Sequence, residues 1–391
     1  MKKMKINQYA HKSRKCPVCG ECKTALLYTN RFVDFDQISF FQKYNVVCCD
    51  MCGGVYADNI PNQEDFDAYY HKQNKYEQKT AKRERTLHPA YYRAVQLLSL
   101  ELPDKETCIL DIGCGMGYLL SALKKMGYKN ISGLDTSRVC AEYVRTELSI
   151  PCLEGPFSIF KSEKQKTQYD AVCMFAVLEH LVDTHEAIKT ITLLLKTNGL
   201  LLICVPNSES FNPAINGPYQ EFSTEHINYF CFDSLQNLLG LYGFEIILSD
   251  LRSQGAIKCI FRKTGNIRPI VKENKSKSTI EAYMEKSAIL NHKLAKMLYP
   301  YNNEKIIVWG TGTMTLHLLA SGVLCAENIK VFVDSNPHYI KGSFKGIPVI
   351  APDMLSVHTE TILISSYDWK NEILNIIRTK LGLKNEVICL S

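Results

Sequence analysis

The sequence predicts an α/β protein: a parallel sheet flanked by helices, with a small cysteine-rich unit before it and a second, smaller α/β unit after it. Three observations carry this. Between about residues 105 and 262, short apolar runs alternate with amphipathic helical stretches, the pattern of strand–helix–strand crossovers. The alternation resumes at KIIVWGTGT, from Lys305. Six of the 16 cysteines lie between Cys16 and Cys52, and they include two C-x-x-C pairs.

The 391 residues leave room for two or three domains, each with its own core. A chain that is 46% hydrophobic and 22% charged is not disordered. A net charge of +6 over this length gives no case for a dedicated nucleic-acid binder. The short basic runs Lys12–Lys15 and Lys79–Arg85 read as solvated faces. No apolar segment follows MKKMKINQYAHKSRK, so no signal peptide is expected. The longest apolar stretch, Leu193–Val205, is broken by Lys196-Thr-Asn-Gly199 and is unsuited to a bilayer. Disulfide scaffolds are short and secreted, so the cysteines read as reduced and the protein as cytoplasmic.

In chain order, the first zone holds β-like YTNRFVDF and NVVCC between the cysteine pairs. EDFDAYYHKQNKYEQ and PAYYRAVQLLSL then read as helices. Candidate strands of the central zone are CILDIG, ISGLD, AVCMF, LLLICVP, EIILSD and IKCIFRK, with an antiparallel finish. Polar TGNIRPIVKENKSKST (264–279) reads as a linker, and a helix follows from Ile280 to Leu298. The last zone offers IKVFVD, IPVIAP, ETILISS and a helix from about Lys370 to Leu381. The expected units are 1–62, 63–262 (helical lead-in and central sheet), 263–300 (linker and helix) and 301–391.

Cys16-Pro-Val-Cys19 and Cys49-Asp-Met-Cys52 are each followed by glycine, Gly20 and Gly53. Glycine there lets the turn's amides face the sulfurs. Four thiolates match tetrahedral structural zinc with no open position for catalysis. Cys22 extends the first pair to C-x-x-C-x-x-C, but the fourth cysteine and following proline of a bacterial ferredoxin run are missing. The competing reading is a set of buried or solvent thiols.

The most specific signal is Cys108-Ile-Leu-Asp-Ile-Gly-Cys-Gly-Met-Gly117. An apolar strand reaches Asp111, and Gly113, Gly115 and Gly117 then lead into a helix. Such a loop lets the backbone approach a ligand, and helix-start amides can receive a carboxylate. A dinucleotide fingerprint wants glycine at 118, where Tyr118 stands. The next strand, ISGLD, ends in Asp135, placed to accept bonds from both ribose hydroxyls.

This segment resembles the first motif of class I S-adenosylmethionine-dependent methyltransferases, and residues 105–250 follow that family's order. YDAVCMFAVLEHLVD resembles its fourth-strand region, and LLLKTNGLLLICVPN its fifth helix, turn and strand. The resemblance implies a Rossmann-like fold and S-adenosylmethionine as cofactor. By it, Asp111 with the Gly113-Cys114-Gly115-x-Gly117 loop holds the methionine moiety and Asp135 the ribose. Glu154-Gly155 falls where an acidic residue near the adenine often lies.

Beyond the fifth strand comes Glu221-Phe-Ser-Thr-Glu225-His226. Methyl transfer needs an aligned nucleophile and a base to remove its proton. His226 has the intrinsic chemistry of such a base, and Glu225 could orient it. The competing reading has His226 capping the helix CFDSLQNLL. Glu179-His180 is a rival pair, read as structural or cofactor-lining.

The whole layout resembles a narrower group, the zinc-containing sugar C-methyltransferases acting on nucleotide-linked ketosugars. The matching segments are CPVCG with CDMCG, DFDAYYHKQNKYE, Glu225-His226 and the tail VFVDSNPHYIKGSFKGIPVIAPDML. The resemblance implies His226 as base, with Glu225 and Tyr76 near the substrate. Thr224 stands where that group favours histidine, and Ser253-Gln254-Gly255-Ala256 replaces a Gly-Gly stretch. Carbon and oxygen therefore both stay open as acceptor. The expected partner is a small molecule, with no nucleic acid and no membrane. A catalytically inactive binding module is a further alternative. An NAD-linked enzyme using the tail's Gly310-x-Gly312 is the weakest, because that loop lacks its third glycine.

Overall fold

In the computed structural model, residues 13–33, 40–72, 89–162, 168–250, 255–336, 339–340 and 342–390 are described. After the first cysteine pair, β1 (Thr24–Arg31), β2 (Lys43–Cys49) and β3 (Val55–Asp58) form an antiparallel meander. Helix α1 (Gln63–Lys72) follows, and its Phe66 packs edge-on to Phe40 and Phe41. Proline, at home in a first helical turn, opens α2 (Pro89–Glu101), which buries Ala94, Val95 and Leu98.

The central alternation folds as β4 (Cys108–Ile112), α3 (Tyr118–Lys125), β5 (Asn130–Asp135), α4 (Arg138–Thr146), β6 (Cys152–Glu154), α5 (Ile159–Ser162), β7 (Tyr169–Phe175), α6 (Thr184–Leu194) and β8 (Leu195–Pro206). There follow α7 (Pro213–Asn216), β9 (Asn228–Tyr229), α8 (Phe232–Gly240), β10 (Phe244–Asp250) and β11 (Ala256–Lys263). The seven-stranded order is β10-β11-β8-β7-β4-β5-β6. From β6 to β8 the strands are parallel, and β11 and β10 close that side antiparallel, as the sequence predicts. The order reverses between β4 and β7, which opens a crevice beyond their carboxyl ends.

Helix α9 (Lys275–Leu298) begins five residues before the expected Ile280. The Glu273 carboxylate explains this: it accepts from the amides of Lys275 (2.8 Å) and Ser276 (2.9 Å), so a carboxylate sits on the positive end of the helix. The polar segment before it is strapped down, since Asn237 exchanges two bonds with the Val271 backbone (2.7 and 3.0 Å). The last unit is β12 (Ile306–Trp309), α10 (Thr313–Ala320), β13 (Ile329–Val333), β14 (Ser343–Phe344), β15 (Ile347–Ile350), β16 (Thr361–Ile364), α11 (Lys370–Asn375) and β17 (Val387–Cys389). Its sheet runs β14-β15-β13-β12-β16-β17, parallel except for β14.

Strand β9 is too short to read from sequence, yet it positions the site. It joins the first sheet as a fourth strand, pairing Val55 with Tyr229 and Tyr56 with Asn228. One continuous apolar core unites that sheet (Phe41, Tyr44), the segment before β9 (Phe222, Ile227), α9 (Ile280, Tyr283) and the last unit (Val308, Phe332). No described helix is long and apolar enough to cross a membrane.

Candidate active site

The glycine loop after β4 folds under β5: the amides of Gly113 and Cys114 both donate to the Leu134 carbonyl (2.7 and 3.0 Å). Gly113 has φ +68°, and a Cβ there would sit 2.5 Å from Val177 Cγ2, so a side chain is excluded on both counts. Asp111, Gly113, Cys114, Gly115 and Asp135 all line the crevice. Cys114 does so while its sulfur turns to Cys152, 3.6 Å away. Gly117 has a different task, serving as the left-handed N-cap residue of α3. On the far side Gly155 and Phe157 line the crevice, whereas Glu154 is exposed.

Asp111 is 2% exposed, and its Oδ1 has no hydrogen-bond partner among the described residues. Burial, and then the Asp135 carboxylate, push its pKa well above the usual range. Asp135 is also raised by burial, opposed by the amides of Ser137 (2.8 Å) and Gly115 (2.7 Å) that it accepts from. The lining includes Asp67, Asp111, Asp135 and Glu225 and no lysine or arginine among the described residues. Such a crevice disfavours phosphate and suits a guest that brings positive charge to Asp111. An amine-bearing sulfonium with a ribose fits this donor and acceptor set.

The opposite wall comes from α1, the one-turn helix Leu178–His180 and the segment before β9. Glu225 and His180 line the crevice with Tyr70. Tyr69 donates to Glu225 Oε1 (3.1 Å) and stacks on Phe40. His180 Nδ1 lies 2.9 Å from the Glu225 carbonyl, an acceptor only, so this nitrogen carries the proton; Tyr70 Oη is 3.0 Å from it. His226 stands edge-to-face on His180, ring centroids 4.9 Å apart. Glu179, His180 and His226 bring one ligand atom each within 4.8 Å of one another. The pairs weighed as rivals from the sequence are thus one constellation.

The first sheet holds this loop. Asn30 donates to the Phe222 carbonyl (2.7 Å) and Tyr44 to that of Ser223 (3.0 Å). Ser223 Oγ accepts from the amides of Glu225 (3.2 Å) and His226 (2.9 Å). Helix α8 is capped by Cys231, whose sulfur accepts from Ser234 N (3.3 Å) while Ser234 Oγ accepts from Cys231 N (3.0 Å). His226 is therefore not that helix's cap. Tyr76 lies outside the described residues. Tyr69 and Tyr70 lie in the helical DFDAYYHK segment, where paired tyrosines on a polar helix are the sequence signal for them.

The sulfurs of Cys16, Cys19, Cys49 and Cys52 all lie within 4.8 Å of one another. The amides of Val18 and Gly54 point at Cys16 and Cys52 sulfur (3.4 Å each), the knuckle geometry expected of thiolate ligands. Gly53 has φ +83°, and a Cβ there would lie 2.0 Å from the Glu273 carbonyl oxygen. Cys22 is exposed and Cys48 donates to the Gly53 carbonyl (3.4 Å), so the six cysteines of this zone reduce to a four-sulfur site. In the last unit, Asp334 accepts from Thr311 N (2.9 Å) and Oγ1 (2.7 Å), closing the Gly310-Thr-Gly312 loop on itself.

Residues 81–249 match the family of methyltransferase domains. The chain is 31% identical over 113 residues (28% of it, 44% of the relative) to a ubiquinone biosynthesis O-methyltransferase of Bradyrhizobium diazoefficiens. It is 30% identical over 129 residues (31% and 48%) to a malonyl-[acyl-carrier protein] O-methyltransferase of Halalkalibacterium halodurans. Among solved structures, magnesium protoporphyrin IX methyltransferase of Synechocystis with bound S-adenosylhomocysteine superposes with a TM-score of 0.41 at 14% identity, covering 52% of this chain and 100% of that one. The chain spans about half the length of the curated relatives it matches. Residues 81–249 thus carry the match to a methyltransferase domain, on a Rossmann-like α/β fold with an acidic crevice at its switch point. A relative from Mycolicibacterium smegmatis, 27% identical over 139 residues, is named a probable S-adenosylmethionine-dependent methyltransferase.

Proposed function

We propose that the protein transfers a methyl group from S-adenosylmethionine to a nucleotide-linked sugar, at a carbon beside a keto group. The observation that carries the methyl-transfer reading is the acidic crevice with its unpartnered Asp111 oxygen, facing a wall that bears Glu225 and His180. The sugar reading is supported by the resemblance of the segments CPVCG, CDMCG, DFDAYYHKQNKYE, Glu225-His226 and the tail to zinc-containing sugar C-methyltransferases. The last α/β unit also packs close to the loop ahead of Glu225: Tyr219 meets the His317 ring at 5.0 Å.

Asp111 would hold the cofactor's ammonium, the Gly113–Gly115 backbone its carboxylate end, and Asp135 its ribose. Bound S-adenosylmethionine would supply an electrophilic methyl group with a thioether as its leaving group. His226 takes the proton from the sugar carbon, leaving the pair on an enolate that forms the new carbon–carbon bond. Glu225, held by Tyr69, orients the acceptor. Cys16, Cys19, Cys49 and Cys52 would hold one structural zinc ion.

Incubation with methyl-labelled S-adenosylmethionine and a nucleotide-sugar panel, read by mass spectrometry, tests this. Exchange of the α-hydrogen in heavy water accompanies carbon methylation. Its retention, with label on oxygen, supports the second reading, O-methyl transfer, which the named relatives favour. Absence of cofactor binding by calorimetry would leave only a binding module.

Asp111→Asn is expected to weaken S-adenosylmethionine binding by about 1.5–3 kcal/mol, the scale of a hydrogen bond to a charged group. Because a cation binds the ionised carboxylate and the Asp111 pKa is raised, affinity should fall as pH drops through that pKa. The Asn variant should lose this dependence. Asp135→Ala should cost about 1–3 kcal/mol of the same affinity, and an unchanged Kd would remove the ribose role.

A further inference from the structure

We propose that Arg14 is the positioning residue that keeps the two histidine-bearing turns in register. Its guanidinium donates from Nε to the Ala57 carbonyl of β3 (2.8 Å) and from Nη1 to that of Val182 (3.1 Å), two residues past His180. Nη2 donates to the Ile227 carbonyl (2.7 Å), adjacent to His226, and to Asn228 Oδ1 (2.7 Å). Asn228 completes the ring, its Nδ2 donating to the carbonyls of Leu178 (2.9 Å) and Leu181 (2.8 Å). Ile227 N adds a direct bond to the Glu179 carbonyl (3.0 Å).

Three separate pieces of chain thus meet on one planar cation: β3, the turn carrying His180 and the turn carrying His226. A fork of donors at fixed angles suits this task, and a lysine ammonium cannot reach all four acceptors. Arg14 is itself anchored, with its amide donating to Asp58 Oδ1 (2.8 Å) and its guanidinium 5.1 Å from the Tyr56 ring centroid. Cys16, in the four-sulfur site, is two residues away, so the bolt ties that unit to both histidines. Arg14 touches neither the crevice nor any residue assigned to the cofactor, which makes it a positioning residue.

The register stands on the geometry alone; its catalytic consequence rests on the methyl-transfer reading above. The test uses full-length protein with 15N-labelled histidine, as Arg14→Ala and Arg14→Lys. Ring signals of His180 and His226, assigned from His180→Asn and His226→Asn, should move in both variants while those of His292, His317 and His358 stay. Tens of millimolar guanidinium should return them towards the parent positions in Arg14→Ala. S-adenosylmethionine Kd should stay within about twofold and zinc content should hold. On an accepted sugar, kcat should fall on the order of 10²-fold, the scale of a small misplacement of reacting groups, with partial guanidinium rescue. Unmoved His180 and His226 signals in folded Arg14→Ala would overturn the proposal, as would failure of both variants to fold, which would make Arg14 a folding residue only. If no acceptor turns over in the parent, the methyl-transfer reading fails, and the ring signals still decide the role of Arg14.

Discussion

Cys49→Ser is expected to remove the metal and lower the melting temperature together. The four sulfurs are mutually close, three of their cysteines are fully buried, and two backbone amides already point at them. A closed site of this kind contributes folding energy outright, because the assembled ligand set exists only in the native chain. Losing one ligand should cost several kcal/mol, a fall on the order of 10 °C for a unit coupled to a domain of this size. The consequence should reach further than the cysteines. Strand β3 follows the second pair and carries β9, so weakening the unit loosens the loop that holds Glu225 and His226. S-adenosylmethionine binding should survive better than turnover, since the crevice's glycine loop belongs to the other sheet. Metal analysis and calorimetric melting on the same preparation check this. Iron in place of zinc, or a metal-free protein that melts like the parent, would remove the structural-zinc assignment.

What the sequence disclosed follows the range over which each feature is encoded. The strand β4, its glycine loop and the helix α3 are local: apolar run, glycines and amphipathic stretch lie within twenty residues. The cysteine pairs are local too, and their following glycines report a backbone conformation that few other residues adopt. The active-site wall is encoded otherwise. Tyr44 and Asn30 reach Ser223 and Phe222 across the chain, and Arg14 reaches Asn228 over 214 positions, so no window of sequence contains both partners. His180 and His226 each sit in a Glu-His pair, which made them look like competitors. Long-range bonds bring the rings face to edge: those of Ile227 and Asn228 to residues 178–181, of His180 to Glu225, and of Arg14 to both turns. The start of α9 was hidden for a subtler reason: KENKSKST has linker composition, and the cap is a glutamate acting on the second and third amides after it.

His226→Asn should preserve folding and cofactor binding while turnover falls on the order of 10²–10⁴-fold, the usual worth of a general base. The imidazole is held by its own backbone, through Ser223 Oγ on His226 N, and by ring contact with His180. The helix that follows is capped by Cys231, so the substitution removes no cap and gives no reason for a large loss of stability. A base works from its unprotonated form. The parent's rate should therefore rise with pH as the imidazole loses its proton, and the variant's should not follow that curve. His180→Asn is the necessary companion, because the crevice lining includes His180 and not His226, whose ring meets that of His180. With Nδ1 donating to the Glu225 carbonyl, His180 anchors the loop, and its loss should disturb kcat and acceptor KM together. His226→Asn should act on kcat alone. Measured on one preparation, melting temperature, S-adenosylmethionine Kd and the pH–rate curve separate the two histidines. Near-parent turnover in His226→Asn, with a flattened pH curve in His180→Asn, would move the base from His226 to His180.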